Sequence, residues 1–301
     1  MAPSNCVSCE GEKTDLVYQN ELFSLLKCKN CSLVWKLVPN SGIELSEKIN
    51  KQLFSDVDKR SGIRLNKKMA VNRLRILKSF AKTGKLLEVG AATGEFLEIA
   101  KRSGFDVLGI DLSENYIEYS RKKGLKVFHG KIEDLPNDNN SFDIIVMFHL
   151  IEHIVNPLSF LQEIKKRLKP DGLIYTITPN INSTTNGLFG YSHSDYHHPD
   201  HYFFYSTNTL GNIMKKAGFE VVYSGSKEYH HHLFTSLKAY IARRASISKS
   251  NQPHLEASIK PKTNKFNIKY LLSRMPYLLA YLFSPILIFY SYAVAKKNER
   301  Q

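Results

Sequence analysis

The sequence predicts an open α/β sheet, mostly parallel, with helices on both faces. Two observations carry this. Short apolar runs at 86–89, 107–110, 126–128, 144–148 and 173–178 alternate with helical stretches at 94–102 and 115–123, the alternation of a parallel sheet built from crossover units. Ahead of them Leu65, Met69, Leu74, Leu77 and Phe80 recur at helical spacing until Gly84 ends the run, so a helix over 65–81 leads into the first of these strands. A further strand is expected at 219–223. In sheets of this kind ligands bind beyond the carboxyl ends of the strands, where the strand order reverses, so the loops after each strand are where chemistry is sought.

With 301 residues and 43% hydrophobic composition the chain has material for one good-sized α/β domain with smaller attachments, which excludes a disordered polymer. The net charge of +14 is concentrated: from Lys227 onward there are thirteen Lys or Arg against Glu228, Glu256 and Glu299. The central domain is close to balanced, so the acidic partner implied by the total belongs to the last quarter. Residues 1–5 lack the basic and then apolar build of a secretory signal, so the catalytic body is expected to stay in the reducing cytoplasm.

All four cysteines lie at the front, as the pairs Cys6/Cys9 and Cys28/Cys31, with 18 residues between the pairs. Each C-x-x-C turn can put two thiolates on one metal, and two such turns complete a tetrahedral zinc shell. Short strands at 22–26 and 33–35 flank the second pair. Four thiolates leave no open coordination position, so the expected Zn2+ is structural. A redox role is disfavoured because neither pair opens a helix after a strand.

The segment LLEVGAATGEF at 86–96 joins an apolar strand to a helix through a turn of small residues, Gly90, Ala91 and Gly94 among them. Such a turn lets backbone approach a ligand and aims helix N-terminal amides at it. It is not G-x-G-x-x-G, since Ala92 occupies the middle position, and it has no Lys-Ser/Thr of a phosphate loop. About twenty residues on, Asp111-Leu112 ends the second strand, where a carboxylate can accept from both hydroxyls of a ribose. Glu133-Asp134-Leu135 follows the third strand, and the fourth runs through Phe148 into His149-Leu150-Ile151-Glu152-His153.

Over most of residues 65–225 this pattern resembles the class I S-adenosylmethionine-dependent methyltransferases. The resemblance rests on Glu88, Gly90 and Gly94 as E-x-G-x-x-x-G, Asp111, the acid-leucine pair Asp134-Leu135 and the H-L-I-E-H strand ending. It extends to a helix and turn at 168–172, to Thr178-Pro179-Asn180, and to Ala217-Gly218-Phe219. It implies a Rossmann-like three-layer sandwich on a seven-stranded sheet. It also implies an S-adenosylmethionine site formed by Glu88, Gly90, Ala91, Gly94, Asp111, Leu112 and Phe148, with Glu133 or Asp134 near the adenine. A cysteine-paired module in front is similar to the sugar and natural-product branch. A nicotinamide dehydrogenase is disfavoured by the missing middle glycine and by the fourth-strand ending.

Methyl transfer to a hydroxyl requires a group to take its proton, and a histidine suits that by its pKa. His149 and His153 stand at the mouth of the fourth strand, and His201 lies in the insertion SHSDYHHPDHYFFYS at 192–206. In related enzymes this stretch lids the acceptor pocket, and His201 with Phe204 matches the H-x-x-F found there. The catalytic candidates are therefore His149, His201 and His153, with His149 or His201 as the base. The ending is also similar to ubiquinone-pathway O-methyltransferases that hold a divalent cation. Glu152 and His153 match that pattern, while His149 stands in place of its first acid. His230, His231 and His232 read as a solvated cluster.

Residues 275–295 run 21 residues without a charge, long enough as a helix to cross a bilayer core. Pro285 divides the run, and basic residues on both sides favour a re-entrant hairpin or an in-plane helix. The expected organisation is a zinc ribbon at 1–40, a methyltransferase domain at 41–235, a basic linker at 236–274 and an apolar, membrane-associating helical segment at 275–301. The partners expected are a small-molecule or lipid-linked sugar acceptor and an anionic membrane surface at the cytoplasmic face. Nucleic acid is not expected, because the basic tail has little aromatic interleaving. The function expected is methylation of a sugar or other small acceptor in surface-glycan assembly. A ubiquinone-type lipid O-methyltransferase and a non-catalytic adaptor are the alternatives.

Overall fold

The computed structural model describes residues 5–38, 63–136, 141–183, 186–187, 190–227 and 290–297. In chain order its strands and α-helices are β1 (Thr14–Gln19), β2 (Ser24–Cys28), β3 (Val34–Leu37), α1 (Ile63–Leu77), β4 (Gly84–Val89), α2 (Glu95–Arg102), β5 (Phe105–Asp111) and α3 (Glu114–Lys122). There follow β6 (Val127–His129), β7 (Phe142–Phe148), α4 (Pro157–Arg167), β8 (Leu168–Pro179), β9 (Phe203–Phe204), α5 (Thr207–Lys216), β10 (Phe219–Lys227) and β11 (Tyr290–Lys297). The chain divides into two compact units, one drawn from 1–47, 178–210 and 225–292, the other from 48–177, 211–224 and 293–301.

The larger sheet has seven strands in the order β10-β11-β8-β7-β4-β5-β6, and β6 with β5, β5 with β4, β4 with β7 and β7 with β8 pair in parallel. The chain builds outward from β4 through β5 to β6, then returns to β4's other side with β7. The order thus reverses between β4 and β7, and their carboxyl ends form the ligand crevice expected of such a sheet. Both central strands are apolar on both faces, with Leu86, Leu87, Ile144, Ile145, Val146 and Met147 buried; this doubly covered burial is what an interior parallel strand requires.

The helices end where their sequences direct. Gly94, at φ 76°, precedes α2, which carries Glu95 and Glu98 in its first turn and Lys101 and Arg102 in its last, matching the helix dipole. Pro157 opens α4 and Lys165, Lys166 and Arg167 close it. The helix-and-turn expected at 168–172 is different in fact. α4 stops at Arg167 and β8 begins at once with Leu168, with Asp171 in the left-handed region at φ 56°.

The second sheet has the order β1-β2-β3-β9, with β1, β2, β3 and β9 antiparallel to their neighbours. β9 comes from the insertion after β8, so the ribbon extends beyond 1–40 and incorporates Phe203 and Phe204, which pair with Trp35 and Val34. Phe23, Leu25, Val34, Tyr196 and Phe204 form its core, flanked by Val17, Tyr18, Val38, Ile181 and Tyr191. At about 1.5–3 kcal/mol for each large apolar side chain removed from water, this core gives the small module a stabilising element besides its cysteine knuckles.

The helical segment expected at 275–301 is corrected by β11. Tyr290–Lys297 is a strand lying between β10 and β8, with Ala293, Val294 and Ala295 fully buried. Lys297 donates from Nζ to the Leu168 carbonyl at 2.9 Å. The 21-residue uncharged run therefore includes six residues of a sheet strand, and the larger sheet is not complete at 235. Residues 228–289, including the three consecutive histidines and the rest of the apolar run, lie outside the described residues. Among the described residues no helix is long and apolar enough to cross a membrane.

Candidate functional site

The turn after β4 is built by positive φ angles at Gly90 (74°), Ala92 (45°) and Gly94 (76°). A side chain on Gly94 would come within 2.5 Å of Leu125 Cδ1, so glycine is required there by packing as well as by φ. Ala92 has no such freedom and is held in place from two sides. Its N–H donates to Asp111 Oδ2 at 2.8 Å and its carbonyl accepts from Ser120 Oγ at 2.9 Å. Gly90 and Ala91 both donate to the Ile110 carbonyl, and Gly94 donates to that of Ala91. The sequence suggested that this turn aims amides at a ligand; these four are spent on the turn itself, which leaves smooth backbone as its contribution.

Asp111 ends β5 beside this turn. Oδ1 accepts the Ser113 N–H at 2.9 Å and Oδ2 that of Ala92. Each carboxylate oxygen has a second lone pair, so the residue is fixed by backbone donors and still able to accept from two ligand hydroxyls. Leu112 follows, 64% exposed, an apolar surface at the mouth of β5. After β6, Asp134 Oδ2 accepts the Lys131 N–H at 2.7 Å and caps its own turn, whereas neighbouring Glu133 is exposed.

Glu88, two residues before the turn, is buried at 4% exposure, and its Oε2 has no hydrogen-bond partner. Burial holds its carboxyl well above the usual range, and the charges of Glu95 and Asp111 push the same way against the opposing Arg73. A buried acid with an orphaned oxygen next to the glycine turn fits a ligand bearing an ammonium donor. S-Adenosylmethionine combines such an ammonium with a ribose diol. Glu88, the turn and Asp111 thus offer complementary groups for it, and Glu133 and Leu112 stand at the mouth. Bound there, the cofactor would supply the activated methyl group.

Phe148 closes β7 in an aromatic stack, edge to face with Phe96 at 4.8 Å and with Tyr175 at 5.3 Å. The Arg73 guanidinium lies 4.5 Å over its ring. Arg73, on α1, bears on both Glu88 and His149 through its charge. The helical periodicity of α1 gave no signal for this, because Arg73 occupies a polar position in the pattern.

His149 takes φ 56° directly after β7 and donates its N–H to the Ile177 carbonyl at 2.7 Å. A non-glycine residue in the left-handed region at a strand end is stored strain of the kind found at sites. Its Nδ1 lies 3.5 Å from Oε1 of buried Glu152. Burial lowers its pKa, with Glu152 opposing, so the ring is predominantly neutral at pH 7. His153 is half-buried in the 3-10 turn Ile151–His153. His149 and His153 belong to the larger-sheet unit and His201 to the ribbon unit.

The four cysteines come together with their sulfurs within 4.8 Å of one another. Cys6 and Cys31 approach to 3.5 Å, as do Cys9 and Cys28. Zn–S bonds of about 2.3 Å in a tetrahedron imply sulfur separations of roughly 3.8 Å, so the cluster is sized for zinc. The two knuckles repeat one backbone pattern. Glu10 and Ser32, at φ 60° and 66°, donate to the carbonyls of Cys6 and Cys28. Cys6 and Cys28 in turn donate to those of Gly11 and Leu33. Burial pushes the Cys6 thiol far up and that of Cys31 to about 11. Cys9 is raised by burial but brought down to about 7 by the Gly11 backbone and by its hydrogen bonds with Cys31, Cys28 and Asn30. A cation would replace these thiol protons.

The histidines of the insertion have separate tasks. His193 is buried and accepts the Asp195 N–H on Nδ1, capping the turn Ser194–His197. His197 Nε2 is 3.0 Å from the Tyr191 carbonyl, with Tyr18 and Phe23 against its ring. His201 is buried and stacked on His198 at 4.3 Å. His198 pairs through Nδ1 with Asp200 Oδ1.

The methyltransferase domain family model matches residues 62–224, and the chain belongs to that family. Its fold is that of the S-adenosylmethionine-dependent methyltransferases. One such enzyme from Archaeoglobus fulgidus superposes with a TM-score of 0.53 at 20% identity, covering 80% of this chain and 100% of that one. Another, from Thermotoga maritima, gives 0.53 at 19%, covering 81% and 97%. A ubiquinone biosynthesis O-methyltransferase of Actinobacillus pleuropneumoniae is 35% identical over 107 residues, 32% of this chain and 46% of that protein. A demethylmenaquinone methyltransferase of Staphylococcus aureus is 33% identical over 112 residues, 34% and 46%. The chain thus spans about half the length of these curated relatives.

Proposed function

We propose that this protein transfers the methyl group of S-adenosylmethionine to a hydroxyl on the head group of a lipid-borne acceptor, at the cytoplasmic face of a membrane. The observation that carries the reading is a topological one. β10 and β11 are neighbours in the catalytic sheet, yet 62 residues separate Lys227 from Tyr290. That excursion holds nine Lys or Arg against Glu228 and Glu256, and ends in the uncharged stretch 275–289. Because both ends return to one sheet, the excursion begins and finishes on one side of any bilayer. Fifteen residues, even as a helix of about 22 Å, do not span. A basic segment followed by an apolar one suits an anionic lipid surface approached from one side.

The matched relatives named for isoprenoid quinones support a lipid-borne acceptor, and the ribbon in front of the domain supports a sugar head group. Aromatic and polar residues side by side in the insertion suit either ring. A structural Zn2+ in the cysteine cluster belongs to the same proposal.

The test is incubation with methyl-labelled S-adenosylmethionine and a membrane extract. Label entering solvent-soluble lipid supports the reading, and mild acid then separates the two head groups: a lipid-linked sugar is released, while a quinone-type product keeps its label. Label confined to aqueous small molecules overturns the lipid-borne acceptor, and no S-adenosylmethionine binding at all overturns the enzyme.

A further inference from the structure

We propose that Ser120, backed by Lys123, is a positioning residue of the cofactor site: from α3 the two hold successive carbonyls of the turn after β4 and so keep Ala92 in a backbone conformation that its side chain disfavours. This rests on placing S-adenosylmethionine at Glu88, the turn and Asp111, and names the groups that shape the turn for it.

One residue of the turn does not suit its own geometry. Gly90 and Gly94 take φ 74° and 76°, where glycine meets no penalty, but Ala92 takes φ 45° with a Cβ, which is costly for an L-residue. Its neighbours must supply what a glycine would not need. Asp111 supplies one part, since its Oδ2 accepts the Ala92 N–H. That bond fixes the peptide before Ala92. The peptide after it is fixed through its carbonyl, and there α3 acts.

α3 buries Tyr116, Ile117 and Ser120, so a serine occupies a stripe where packing alone calls for an apolar side chain. A buried hydroxyl needs a partner, and within a helix it can turn back on the carbonyl four residues earlier. Ser120 instead donates from Oγ to the Ala92 carbonyl at 2.9 Å, and a hydroxyl has only one proton to give. Three residues on, Lys123 caps α3 and donates from Nζ to the Thr93 carbonyl at 2.7 Å. The same ammonium lies 3.3 Å from Glu95 Oε1 and 4.5 Å from the Tyr119 ring centre. Glu95 Oε2 accepts the Thr93 hydroxyl at 2.5 Å, which closes a ring of polar contacts from α3 through the turn to the first residue of α2.

Gly94 makes the approach possible. A Cβ there would lie 3.0 Å from Ser120 Oγ and 2.5 Å from Leu125 Cδ1. The absent side chain lets α3 stand close enough to reach the turn, and that reach holds Ala92. Ser120, Lys123, the turn, Glu88 and Asp111 all belong to the larger-sheet unit. Ser120 and Lys123 act on the cofactor through the backbone between Gly90 and Gly94.

A glycine at position 92 would adopt the same φ without help, so the A92G background separates positioning from plain stability. Two readouts are taken on the full chain. Deuterium uptake by residues 90–94 of the cofactor-free protein reads the turn directly, because the amides of Gly90, Ala91, Ala92 and Gly94 are held by its bonds. Titration calorimetry with S-adenosylmethionine reads affinity. S120A is expected to exchange about tenfold faster in the turn and to bind about tenfold more weakly, the effect of one buried hydrogen bond. K123M is expected to lose about threefold on both readouts. In the A92G background each change is expected to cost at most about twofold. Unchanged exchange in β7 excludes general unfolding. No loss in S120A, or the same loss with and without A92G, overturns the proposal, and a loss in K123M that A92G leaves standing removes Lys123 from it. If D111A and E88Q bind S-adenosylmethionine as the wild type does, the placement of the cofactor fails, and exchange in the turn still decides the role of Ser120.

Discussion

Asp111 accepts the backbone N–H of Ala92 on Oδ2 at 2.8 Å, and this bond ties the end of β5 to the strained centre of the turn after β4. The carboxylate thus has two duties: it holds Ala92 in the left-handed region and presents its remaining lone pairs to a ribose. D111A is expected to weaken S-adenosylmethionine binding by about 3 kcal/mol, roughly a hundredfold, through loss of charge-assisted bonds. D111N is expected to fare little better, because its amide nitrogen must face the N–H of either Ala92 or Ser113. Titration calorimetry checks both.

Glu88 gives a pH dependence of defined sign. Its folded pKa is raised by burial above the unfolded value, so between the two the folded chain binds more protons than the unfolded one. Its contribution is fully present below the unfolded pKa and is lost as pH rises through the folded one. E88Q removes this loss. In the absence of cofactor it is expected to melt higher than wild type at pH 8, with the gap closing toward pH 4, while binding S-adenosylmethionine more weakly. Melting curves across that range, with and without cofactor, measure both effects.

The parallel sheet was legible in the sequence because its strands are uninterrupted apolar runs between amphipathic helices, and the gathering of the four cysteines was legible in their two C-x-x-C pairs. Other features were hidden for identifiable reasons. β9 is two residues long and becomes a strand only because β3 offers an edge to pair with. β11 was concealed inside an uncharged run, since a strand buried on both faces and an apolar helix differ little in composition. His198 was one of four histidines in the insertion and was not singled out, because its partner Asp200 is two residues away in a loop, a spacing that no helix or strand period selects. The H-x-x-F match drew attention instead to His201, which is buried and stacked beneath it.

β11 assigns the end of the apolar C-terminal run to the sheet. Val294 is fully buried between sheet neighbours, and V294D places a charge there without a partner, at a cost of several kcal/mol. Loss of soluble folded protein, or a large fall in melting temperature, is expected. L282D, in the uncharged stretch that precedes β11 in sequence, is expected to leave the melting temperature unchanged and to reduce flotation with vesicles containing anionic lipid. The opposite pattern, with V294D harmless and L282D unfolding, would remove the strand assignment.

Phe204 joins the insertion to the ribbon: it pairs with Val34 across β3 and β9, packs against Tyr196 at 4.8 Å and lies in the core with Phe23 and Leu25. F204A deletes an aromatic ring from a core of few large residues, which costs about 3–5 kcal/mol. Because metal affinity in a small knuckle module is coupled to its folding, the same substitution is expected to loosen zinc as well. Chelator should strip metal from F204A at concentrations that leave the wild type loaded. Hydrogen exchange in residues 196–205 should rise in both F204A and C28S, the one by losing the core and the other by losing a ligand. The S-adenosylmethionine groups Glu88 and Asp111 belong to the other unit, so cofactor affinity should survive in both variants. A parallel fall in cofactor binding would instead show that the two units fold as one.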